Sequence, residues 1–497
     1  MKIITMYLPQ FYRTKENDEW WGEGYTDWEA VKMARPLFEG HNQPRIPYKN
    51  NYYNLLDRNV MQWQAELMRQ FSVYGQCFYH YWFKEGKRVL DKPAENLLQW
   101  KEIEMPFCFC WANEPWVRSW SAIVDSNVWA PKFESYHGIE SGNGVLLGQE
   151  YGTEEDWKQH FFYLLEFFKD ERYIKIENKP VFMIYKPDHM PRLSDMILFW
   201  RKLSLEHGFS GIYLIGANTE KKCGLDAPYI HATGSMFPKT LYKQINDVRT
   251  IEYQQVWDYI TDVAASEGAG VYVGGILDFD TTARKGKSGV AIIHTDVSVY
   301  KKGLMKLLAL NEHNGVPFTF LNAWNEWGEG MYLEPDERQG YDYLKATKEA
   351  VAFYKDAHWT DTKDNLIEVY KSRADQYKRY WRLMDQWMRK KEHKICLGTI
   401  LKKMGVGSIA VYGIGILGEH LIRDIEQSDI DIRYGIDARK SKIAHPFPVL
   451  SPNQDFPAVD IIVVSVIHEY DDIKEKLSKA TSIPIISLEE LVLEEEK

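Results

Sequence analysis

A chain of 497 residues with 45% hydrophobic and 27% charged residues has an ordinary globular composition, and its length predicts two or three domains rather than one hydrophobic core. The formal net charge of -10 argues against a nucleic-acid-binding protein, because binding to phosphate groups needs a positive surface. The aromatic content of 14%, with 18 Trp and 31 Tyr, fits either a large aromatic core or a protein that stacks its rings on sugar faces.

The cysteines are few and follow no disulfide framework. Only five occur in the chain, and such a sparse, odd set favours a reducing compartment. The N-terminal apolar run is too short for a signal peptide, and no window approaches the roughly 18 apolar residues of a membrane-spanning helix. We therefore predict a cytoplasmic protein, for which a position at the inner membrane surface stays open.

Short apolar runs rich in β-branched and aromatic residues alternate with amphipathic segments over about the first 325 residues. This alternation predicts parallel βαβ units, and eight strands over that length predict an α/β fold, the (β/α)8 TIM barrel. An open doubly wound sheet is the alternative. The insertions at 9–57 and 113–153 are predicted to be long rim loops. The predicted strands are 2–8, 75–83, 105–112, 180–186, 211–217, 227–234, 270–277 and 316–324, and the predicted helices include 59–71, 154–170, 194–208 and 299–315.

The pattern changes after residue 360, which divides the predicted domains into 1–360, 361–404 and 405–497. The segment 361–404 has a helical pattern and turns basic towards its end. Because acidic and basic residues are mixed through its first half, a linker helix between domains is favoured over a helix that docks on a membrane or a partner. Peripheral association with the membrane or with biosynthetic partners stays open.

A glycine-rich turn opens the predicted C-terminal domain. Gly413, Gly415 and Gly418 form the pattern G-x-G-x-x-G directly after a predicted strand, and Asp437 ends the next strand 19 residues later. In a Rossmann-like domain such glycines and the following helix hold phosphate groups, while the acid binds a ribose. We therefore predict a small Rossmann-like domain that binds a nucleotide or nucleotide sugar at these four residues. The alternative is a tight strand–helix turn without a ligand.

Two glutamates follow the eighth predicted strand within the stretch NAWNEWGEG. Glu326 and Glu329 are three residues apart, a spacing that places both side chains on one side of a turn. Barrel active sites lie at the C-terminal ends of the strands, and cleavage of a glycosidic bond needs two carboxyl groups. Packing against Trp324 and Trp327 would raise the pKa of one carboxyl and keep it protonated as an acid. The alternative is structural, with Glu329 capping a helix and Glu326 pairing with an arginine.

Further polar and aromatic residues fall at the ends of the predicted strands. Because the carboxyl ends of parallel barrel strands meet at one mouth, these residues are predicted to bind substrate together. His80 has a second interpretation as a hydrogen-bonded core histidine. The predicted substrate-binding residues are Tyr7, His80, Trp82, Asn113, Glu114, Trp116, Tyr185, Asp280 and Trp324.

The seventh predicted strand leads into Asp278-Phe279-Asp280, a D-x-D pattern with which many nucleotide-sugar transferases hold a divalent ion. Short acidic patterns often arise by chance, so a contact between Asp280 and a sugar hydroxyl is favoured. We predict that the barrel uses no metal and requires no cofactor.

Six long stretches of the chain carry a family resemblance. They are YLPQFY (7–12), NDEWWGEGYTDW (17–28), PLFEGHNQPRIP (36–47), WANEPW (111–116), RYIKIENKPVFMIYKP (172–187) and NAWNEWGEGMYLEPD (322–336). Over about residues 1–355 the chain resembles the WbsX-type proteins of bacterial O-antigen and capsule gene clusters, which are usually labelled glycosyltransferases. That family is similar to glycoside hydrolase family 99, the endo-α-mannosidases, which are (β/α)8 barrels with an E-x-x-E pair after the last strand.

The resemblance implies roles for individual residues. Glu329 would be the general acid/base, and Glu326 would be the base that takes the proton from a sugar 2-hydroxyl. The substrate would then attack its own anomeric carbon through an epoxide-like intermediate. Glu114 and Tyr7 would line the sugar site. Residues 279–284 read FDTTAR where WbsX-type proteins commonly read WDNTPR, so the preferred sugar stays open.

The leading hypothesis is a retaining carbohydrate-active enzyme of bacterial surface polysaccharide biosynthesis, a glycosyltransferase or glycoside hydrolase that acts on an oligo- or polysaccharide through Glu326 and Glu329. Two alternatives stay open. One is a non-catalytic glycan-binding or scaffold protein, and the other is a nucleotide-sugar-dependent transferase with its donor on the C-terminal domain. The residues do not separate hydrolysis from transfer, because a sugar hydroxyl can replace water at the same site.

Overall fold

The computed structural model describes residues 1–117, 145–219, 224–234, 236–354, 360–438 and 445–493. Contacts between residues divide the chain into two compact units, 1–371 and 372–497. Residues 118–144 of the predicted rim loop 113–153 lie outside the described residues.

Unit 1 contains a parallel sheet that curls into a near-closed barrel. Its strands are β1 (Lys2–Tyr7), β2 (Gly75–Trp82), β3 (Phe107–Trp111), β4 (Lys179–Ile184), β5 (Tyr213–Ala217), β6 (Ala227–Ile230), β7 (Tyr272–Val273 and Gly275–Ile276) and β8 (Phe318–Asn322). Each strand pairs with the next along the chain, and β1 pairs in parallel with both β2 and β8. The predicted parallel α/β barrel is therefore confirmed.

Strand β7 is divided at Gly274 and brings the two ends of the sheet together. Its first segment pairs with β6, where Tyr229 lies opposite Tyr272, and its second pairs with β8, where Gly275 lies opposite Leu321. A side chain at position 274 would collide with the ring of Tyr229. Glycine at this point therefore permits the close approach of β6 and β7.

Helices follow the strands, as the alternating pattern predicts. The connection from β5 to β6 spans residues 218–226, of which 218–219 and 224–226 are among the described residues. Local chemistry sets helix starts: Asp296 accepts hydrogen bonds from the backbone N–H groups of Ser298 and Val299. The helices that follow the other seven strands are Arg58–Gln70, Lys92–Gln99, Glu154–Phe168, Leu193–Glu206, Tyr253–Ser266, Val297–His313 and Asp342–Tyr354.

The insertion after β1 carries two short helices, Lys15–Trp21 and Asp27–Met33, and packs on the segment that follows β8. The indole N–H of Trp28 donates to the carbonyl of Tyr53 at 2.8 Å, and the Trp28 ring lies 5.7 Å from that of Trp327. Trp28 thus stabilises the insertion through a hydrogen bond to its own backbone at Tyr53 and through packing on Trp327 in the loop that follows the last barrel strand.

Unit 2 contains a five-stranded parallel sheet. Its strands are β9 (Ser408–Tyr412), β10 (Asp431–Ile436), β11 (Val449–Leu450), β12 (Ile461–Val464) and β13 (Ile485–Ser487). They run in the order β11-β10-β9-β12-β13, which is the order 3-2-1-4-5 of a doubly wound sheet. In the same unit, Leu383 and Trp387 of the helix Thr360–Glu392 share a buried cluster with Leu397. The helices after Thr360–Glu392 are Leu397–Lys403, Ile416–Ile425, Tyr470–Ala480 and Leu488–Leu493.

Two properties concern the described residues as a whole. None of their helices is both long and apolar enough to cross a membrane. Among the same residues, no group of three or more His, Cys, Asp or Glu side chains is arranged to hold a metal ion.

Candidate active site

A cavity of about 300 Å³ opens at the C-terminal ends of the barrel strands. Residues within β2 and residues that follow β1, β3, β4, β6, β7 and β8 contribute to it, together with part of the insertion after β1. The aromatic residues that line it are Trp21, Tyr25, Tyr79, Tyr81, Trp116 and Tyr185, and the charged ones are Asp27, Glu114, Arg284, Lys285, Glu326 and Glu329.

Arg284 joins the two predicted catalytic glutamates. Its Nη2 donates to Oε1 of Glu326 at 2.7 Å, and its Nη1 donates to Oε1 of Glu329 at 2.9 Å. The opposite side of the guanidinium binds Asp27, with Nη2 at 2.7 Å from Oδ2 and Nε at 3.2 Å from Oδ1. One buried cation therefore holds three carboxylates in one place. Glu326 does pair with an arginine, as the structural interpretation predicts. Both glutamates nevertheless line the cavity, so the ion pair and a role in the cavity are compatible.

The turn that carries the glutamates is shaped by two glycines. Asn325–Glu326 pairs with Met331–Tyr332, and the turn between them ends at Gly330, which has a left-handed φ of 67°. A side chain at Gly328 would collide with Asp27 and Arg284. The sequence WGEG thus lets the guanidinium lie directly against the turn and reach both glutamates.

Burial sets the protonation of Glu326. Its side chain is 9% exposed, whereas that of Glu329 is 29% exposed. Burial raises the pKa of Glu326 to about 8; Arg284 opposes this rise, and the charges of Glu329 and Asp27 add to it. In the empty cavity Glu326 therefore holds a proton at neutral pH.

Three of the predicted substrate-binding residues line this cavity. Glu114, Trp116 and Tyr185 lie on its wall, and the Trp116 ring packs 5.3 Å from the ring of Tyr81. The cavity thus brings these three side chains together with Glu326 and Glu329.

His80 and Trp82, also predicted to contact substrate, lie on the outer face of β2 instead. His80 Nε2 is 2.9 Å from Nε2 of His160 in the helix Glu154–Phe168, and the Trp82 ring stacks on His160 at 4.4 Å. Burial lowers the pKa of His80 to about 3, so it is a neutral core histidine. Because side chains alternate along a strand, the inner face of β2 presents Tyr79 and Tyr81.

Tyr7, Asn113 and Trp324 are buried behind the cavity wall rather than on it. The Tyr7 hydroxyl donates to Gln64 Oε1 at 2.8 Å. Asn113 binds the backbone of Lys186 through both ends of its amide, at 2.7 and 2.8 Å, and so joins the ends of β3 and β4. Trp324 is fully buried. Asn113 thus holds two strand ends together, and none of these three side chains lines the cavity.

Asp280 does not line the cavity either, because it anchors the insertion. Its Oδ2 accepts from Gln43 at 2.8 Å and lies 2.9 Å from Nε2 of His41, while Arg45 binds the neighbouring Asp278 at 2.7 Å. The Asp280 backbone N–H donates to the carbonyl of Glu329. Both acids of the D-x-D pattern therefore have protein partners, and the segment supports the turn that carries Glu326 and Glu329.

The cavity-lining residues without a sequence prediction include Asp27, Arg284 and His231. Burial lowers the pKa of His231 to about 4, and its Nε2 is 3.0 Å from Oδ1 of Asn322. Asp27 lies inside the resembling stretch 17–28, and Arg284 closes the segment FDTTAR, but no spacing rule connects either residue to the glutamates.

A second buried carboxylate supports the turn from the side opposite Arg284. Glu334 accepts hydrogen bonds from Tyr53 Oη at 2.8 Å, Gln64 Nε2 at 2.7 Å and Trp327 Nε1 at 2.8 Å. Within the described part of the chain it forms no ion pair, and its exposed fraction is 3%. Burial raises the pKa of Glu334 to about 7, although the three donors oppose the rise.

Replacing Glu334 with glutamine is expected to remove part of the pH dependence of stability. The pKa of Glu334 is higher in the folded chain than in the unfolded chain. Its protonation therefore contributes fully to the free energy of unfolding below the ordinary pKa of 4.5, and this contribution is lost as the pH rises through about 7. Between about pH 5 and pH 8 the free energy of unfolding of the native chain should therefore fall by about 2 kcal/mol more than that of E334Q. Urea unfolding of the barrel at both pH values measures this difference. Glu39→Gln, at an exposed position, is the control and should behave like the native chain. If the free energy of unfolding changed equally with pH in E334Q and in the native chain, the prediction would be wrong.

The glycine-rich turn of unit 2 borders a separate cavity of about 520 Å³. Gly413, Gly415 and Asp437 line it. Asp437 Oδ2 accepts from the backbone N–H of Ile414 at 2.9 Å. A side chain at Gly418 would collide with the carbonyl of Gly413, so this glycine permits the tight turn and does not itself line the cavity.

The chain is similar in sequence to one family and to two curated proteins. The model of the family described as Glycosyltransferase WbsX matches residues 3–347. Uncharacterized protein WxcX, from two strains of Xanthomonas campestris pv. campestris, is 29% identical over 372 residues, which are 70% of this chain and 49% of that protein. The chain thus spans about half the length of the curated relatives it matches.

Solved structures share weaker similarity. The GH99 endo-alpha-mannosidase from Bacteroides thetaiotaomicron is 14% identical with a TM-score of 0.41 and covers 71% of this chain and 97% of its own. Its complex with BIS-TRIS-Propane gives a TM-score of 0.43 at 14% identity, with 72% and 98% covered. A chain described as a glycoside hydrolase-like protein is 10% identical with a TM-score of 0.44 and covers 70% and 93%.

Proposed function

Since the chain belongs to the Glycosyltransferase WbsX family, we propose that its barrel cleaves or transfers a glycosidic bond with retention, in the biosynthesis of a bacterial surface polysaccharide. Family membership makes it a carbohydrate-active protein. The observation that carries the proposal is the contact of one arginine with Glu326 and Glu329 inside an aromatic-lined cavity. Two carboxyl groups flanking one sugar are what such chemistry requires.

In the proposed reaction Glu329, the more exposed acid, gives its proton to the glycosidic oxygen as the bond to the anomeric carbon breaks. Glu326 takes the proton of the 2-hydroxyl, and the 2-oxygen forms a bond to the anomeric carbon. Water or a sugar hydroxyl then opens this three-membered ring and gives its proton to Glu329, while Glu326 returns its proton to the 2-oxygen. Two displacements at one carbon give net retention.

The charges around the cavity favour a neutral glycan over a nucleotide sugar as the sugar donor. Among the described lining residues, four acidic side chains face two cations, and one of those cations, Arg284, is already bound to three of the acids. Even with Glu326 protonated, the charged acids outnumber the cations. A diphosphate entering here would be repelled. The proposed donor in the barrel is therefore a glycoside, and its transfer to water or to a sugar hydroxyl depends on which acceptor reaches the site.

The direct test is incubation of the chain with mannose- and rhamnose-containing oligosaccharides, followed by NMR of the anomeric protons. New products with the anomeric configuration of the starting bond support the proposal. Products of inverted configuration would contradict the retaining mechanism. Binding without any product would favour the alternative of a non-catalytic glycan-binding protein.

The pH dependence of kcat/KM is expected to report the ionisation of Glu326. Because Glu326 acts as a base, it must lose the proton that it holds in the empty cavity, where its pKa is about 8. Below that pH, kcat/KM should fall by about tenfold per pH unit. Initial rates measured on the native chain from slightly acidic to alkaline pH test this. A rate that instead declines across the same range would make Glu326 the proton donor and reverse the two roles.

For unit 2 we propose a nucleotide or nucleotide-sugar ligand at the turn that contains Gly413 and Gly415. Its Rossmann-like strand order supports this, because ligands of such sheets bind where the order reverses, between the first and fourth strands. The cavity at that turn has about 520 Å³ of space. Calorimetric titration of the full chain with UDP- and GDP-sugars tests it, and the absence of any heat would set this ligand aside.

A further inference from the structure

A second cavity, of about 440 Å³, lies on the other side of the turn that carries the two glutamates. Trp327 and Glu334 line this second cavity, whereas Glu326 and Glu329 line the first. Trp327 stands between the two acids in sequence, yet its side chain faces away from them. The turn Trp327–Glu329 is therefore a thin wall with a cavity on each side.

The walls of the second cavity combine aromatic rings with amide groups. Tyr48, Trp63 and Tyr341 are partly exposed, and the rings of Tyr48 and Tyr341 meet edge to face at 5.4 Å. Asn50 and Asn51 bring exposed amides to the rim. A pyranose has apolar C–H faces and hydroxyl groups at its edge, so partly exposed rings beside amides match its chemistry.

The rim of this cavity is held in an unfavourable backbone conformation. Lys49 and Asn50 have left-handed φ values of 57° and 55°. Such a conformation costs free energy for a lysine and is often retained at ligand-binding segments. Here the backbone N–H of Lys49 is held by Glu337 at 2.5 Å. The segment is thereby fixed before any ligand arrives.

The charge within the cavity restricts the ligand. Glu334 brings a buried carboxylate to the wall, held by three neutral donors. The exposed Lys49 lines the same cavity, so its described lining carries one acidic and one basic side chain, an arrangement that favours a neutral sugar over a charged one. The cavity volume of about 440 Å³ accommodates one pyranose ring with space for its linkages.

We propose that this second cavity binds a neutral pyranose unit of a glycan, separate from the reacting sugar. The identity of the ligand as a glycan rests on the proposed function. A sugar bound there contacts Trp327, whose indole N–H binds Glu334 at 2.8 Å and whose ring stacks on Tyr332 at 3.7 Å. A sugar bound in the second cavity would therefore stabilise the position of Trp327, and with it the turn that carries the two acids.

The test uses the full chain and methyl α-D-mannopyranoside as the probe. Crystals soaked with this sugar are expected to show a ring against Trp63 or Tyr341. In solution, Trp63→Ala should weaken the calorimetric binding step of the second cavity about fivefold, because an aromatic contact contributes about 1 kcal/mol. Trp63→Phe keeps a ring and should keep most of the binding. Trp381→Ala removes a 71% exposed tryptophan in unit 2 and should change nothing.

The outcomes separate this proposal from the proposed function. Sugar density in the first cavity alone, or in neither, overturns the second site, as does an unchanged isotherm for a folded W63A. If sugar occupies the second cavity and loses affinity with W63A while no glycan is ever turned over, the enzymatic proposal fails and the second site stands.

Discussion

Glu329→Gln is expected to lower the turnover of a glycan with a sugar leaving group by roughly 10²- to 10⁴-fold, the usual contribution of a general acid. The alkoxide of a sugar is a poor leaving group without a proton, and an amide cannot supply one. The glutamine oxygen can still accept the hydrogen bond that Arg284 Nη1 now gives to Glu329 at 2.9 Å. The fold and the position of Arg284 should therefore be retained, and the loss should appear in kcat rather than in stability.

A change of leaving group provides the control for Glu329. The glycosyl fluoride of the same sugar departs without protonation, so E329Q should form the intermediate from the fluoride at nearly the native rate. Glu326→Gln removes the base instead and should be slow with both substrates. Equal losses for E329Q on the fluoride and on the natural leaving group would show that Glu329 is not the acid.

Arg284→Met is expected to destabilise the barrel by about 3–5 kcal/mol, because it leaves buried carboxylates without their cation. Asp27, Glu326 and Glu329 would then repel each other across the cavity, and binding of glycan should be lost along with turnover. Chemical unfolding followed by tryptophan fluorescence measures the stability. Arg13→Met is the matched control: Arg13 pairs with Asp18 and Glu23, but its side chain is 54% exposed and its ion pairs are screened by solvent, so its loss should change the stability little.

The stability lost in R284M should also depend on pH. Arg284 lowers the pKa of Glu326, so its removal raises that pKa further and favours the protonated acid. At neutral pH Glu326 keeps its proton with or without Arg284, whereas above the native pKa of about 8 only the native chain gains the ion pair between a charged Glu326 and Arg284. The destabilisation should therefore be smaller near pH 7 than near pH 10. A loss that is the same at both values would mean that the three acids are not coupled through this arginine.

The barrel was predictable because its signals are local. Each predicted strand run, from 2–8 to 316–324, contains a strand of the structure, since apolar β-rich runs separated by amphipathic segments carry this information within a few residues.

The site was predictable only in part, because it depends on contacts between distant residues. Glu326, Glu329, Glu114, Trp116 and Tyr185 follow strands closely, and strand ends converge by geometry.

The choice between the two faces of β2 failed for His80 and Trp82. Alternation separates a strand's faces but does not say which one is the interior, and both faces of a barrel strand are buried.

The partnership of Asp27 with Arg284 spans 257 residues and has no local sign. Neither charge follows a pattern that would reveal the other. Such a pairing becomes visible only after the insertion has been placed over the mouth of the barrel.

The pairing of β1 with β8 has a consequence for synthesis on the ribosome. Lys2 lies opposite Phe318, so one edge of β1 has its native neighbour more than 300 residues later in the chain. At elongation rates of about 5–20 residues per second, that apolar edge stays open for tens of seconds. Unpaired edges promote association between nascent chains. Chaperone occupancy during translation, measured by ribosome profiling, should therefore persist until β8 has left the exit tunnel.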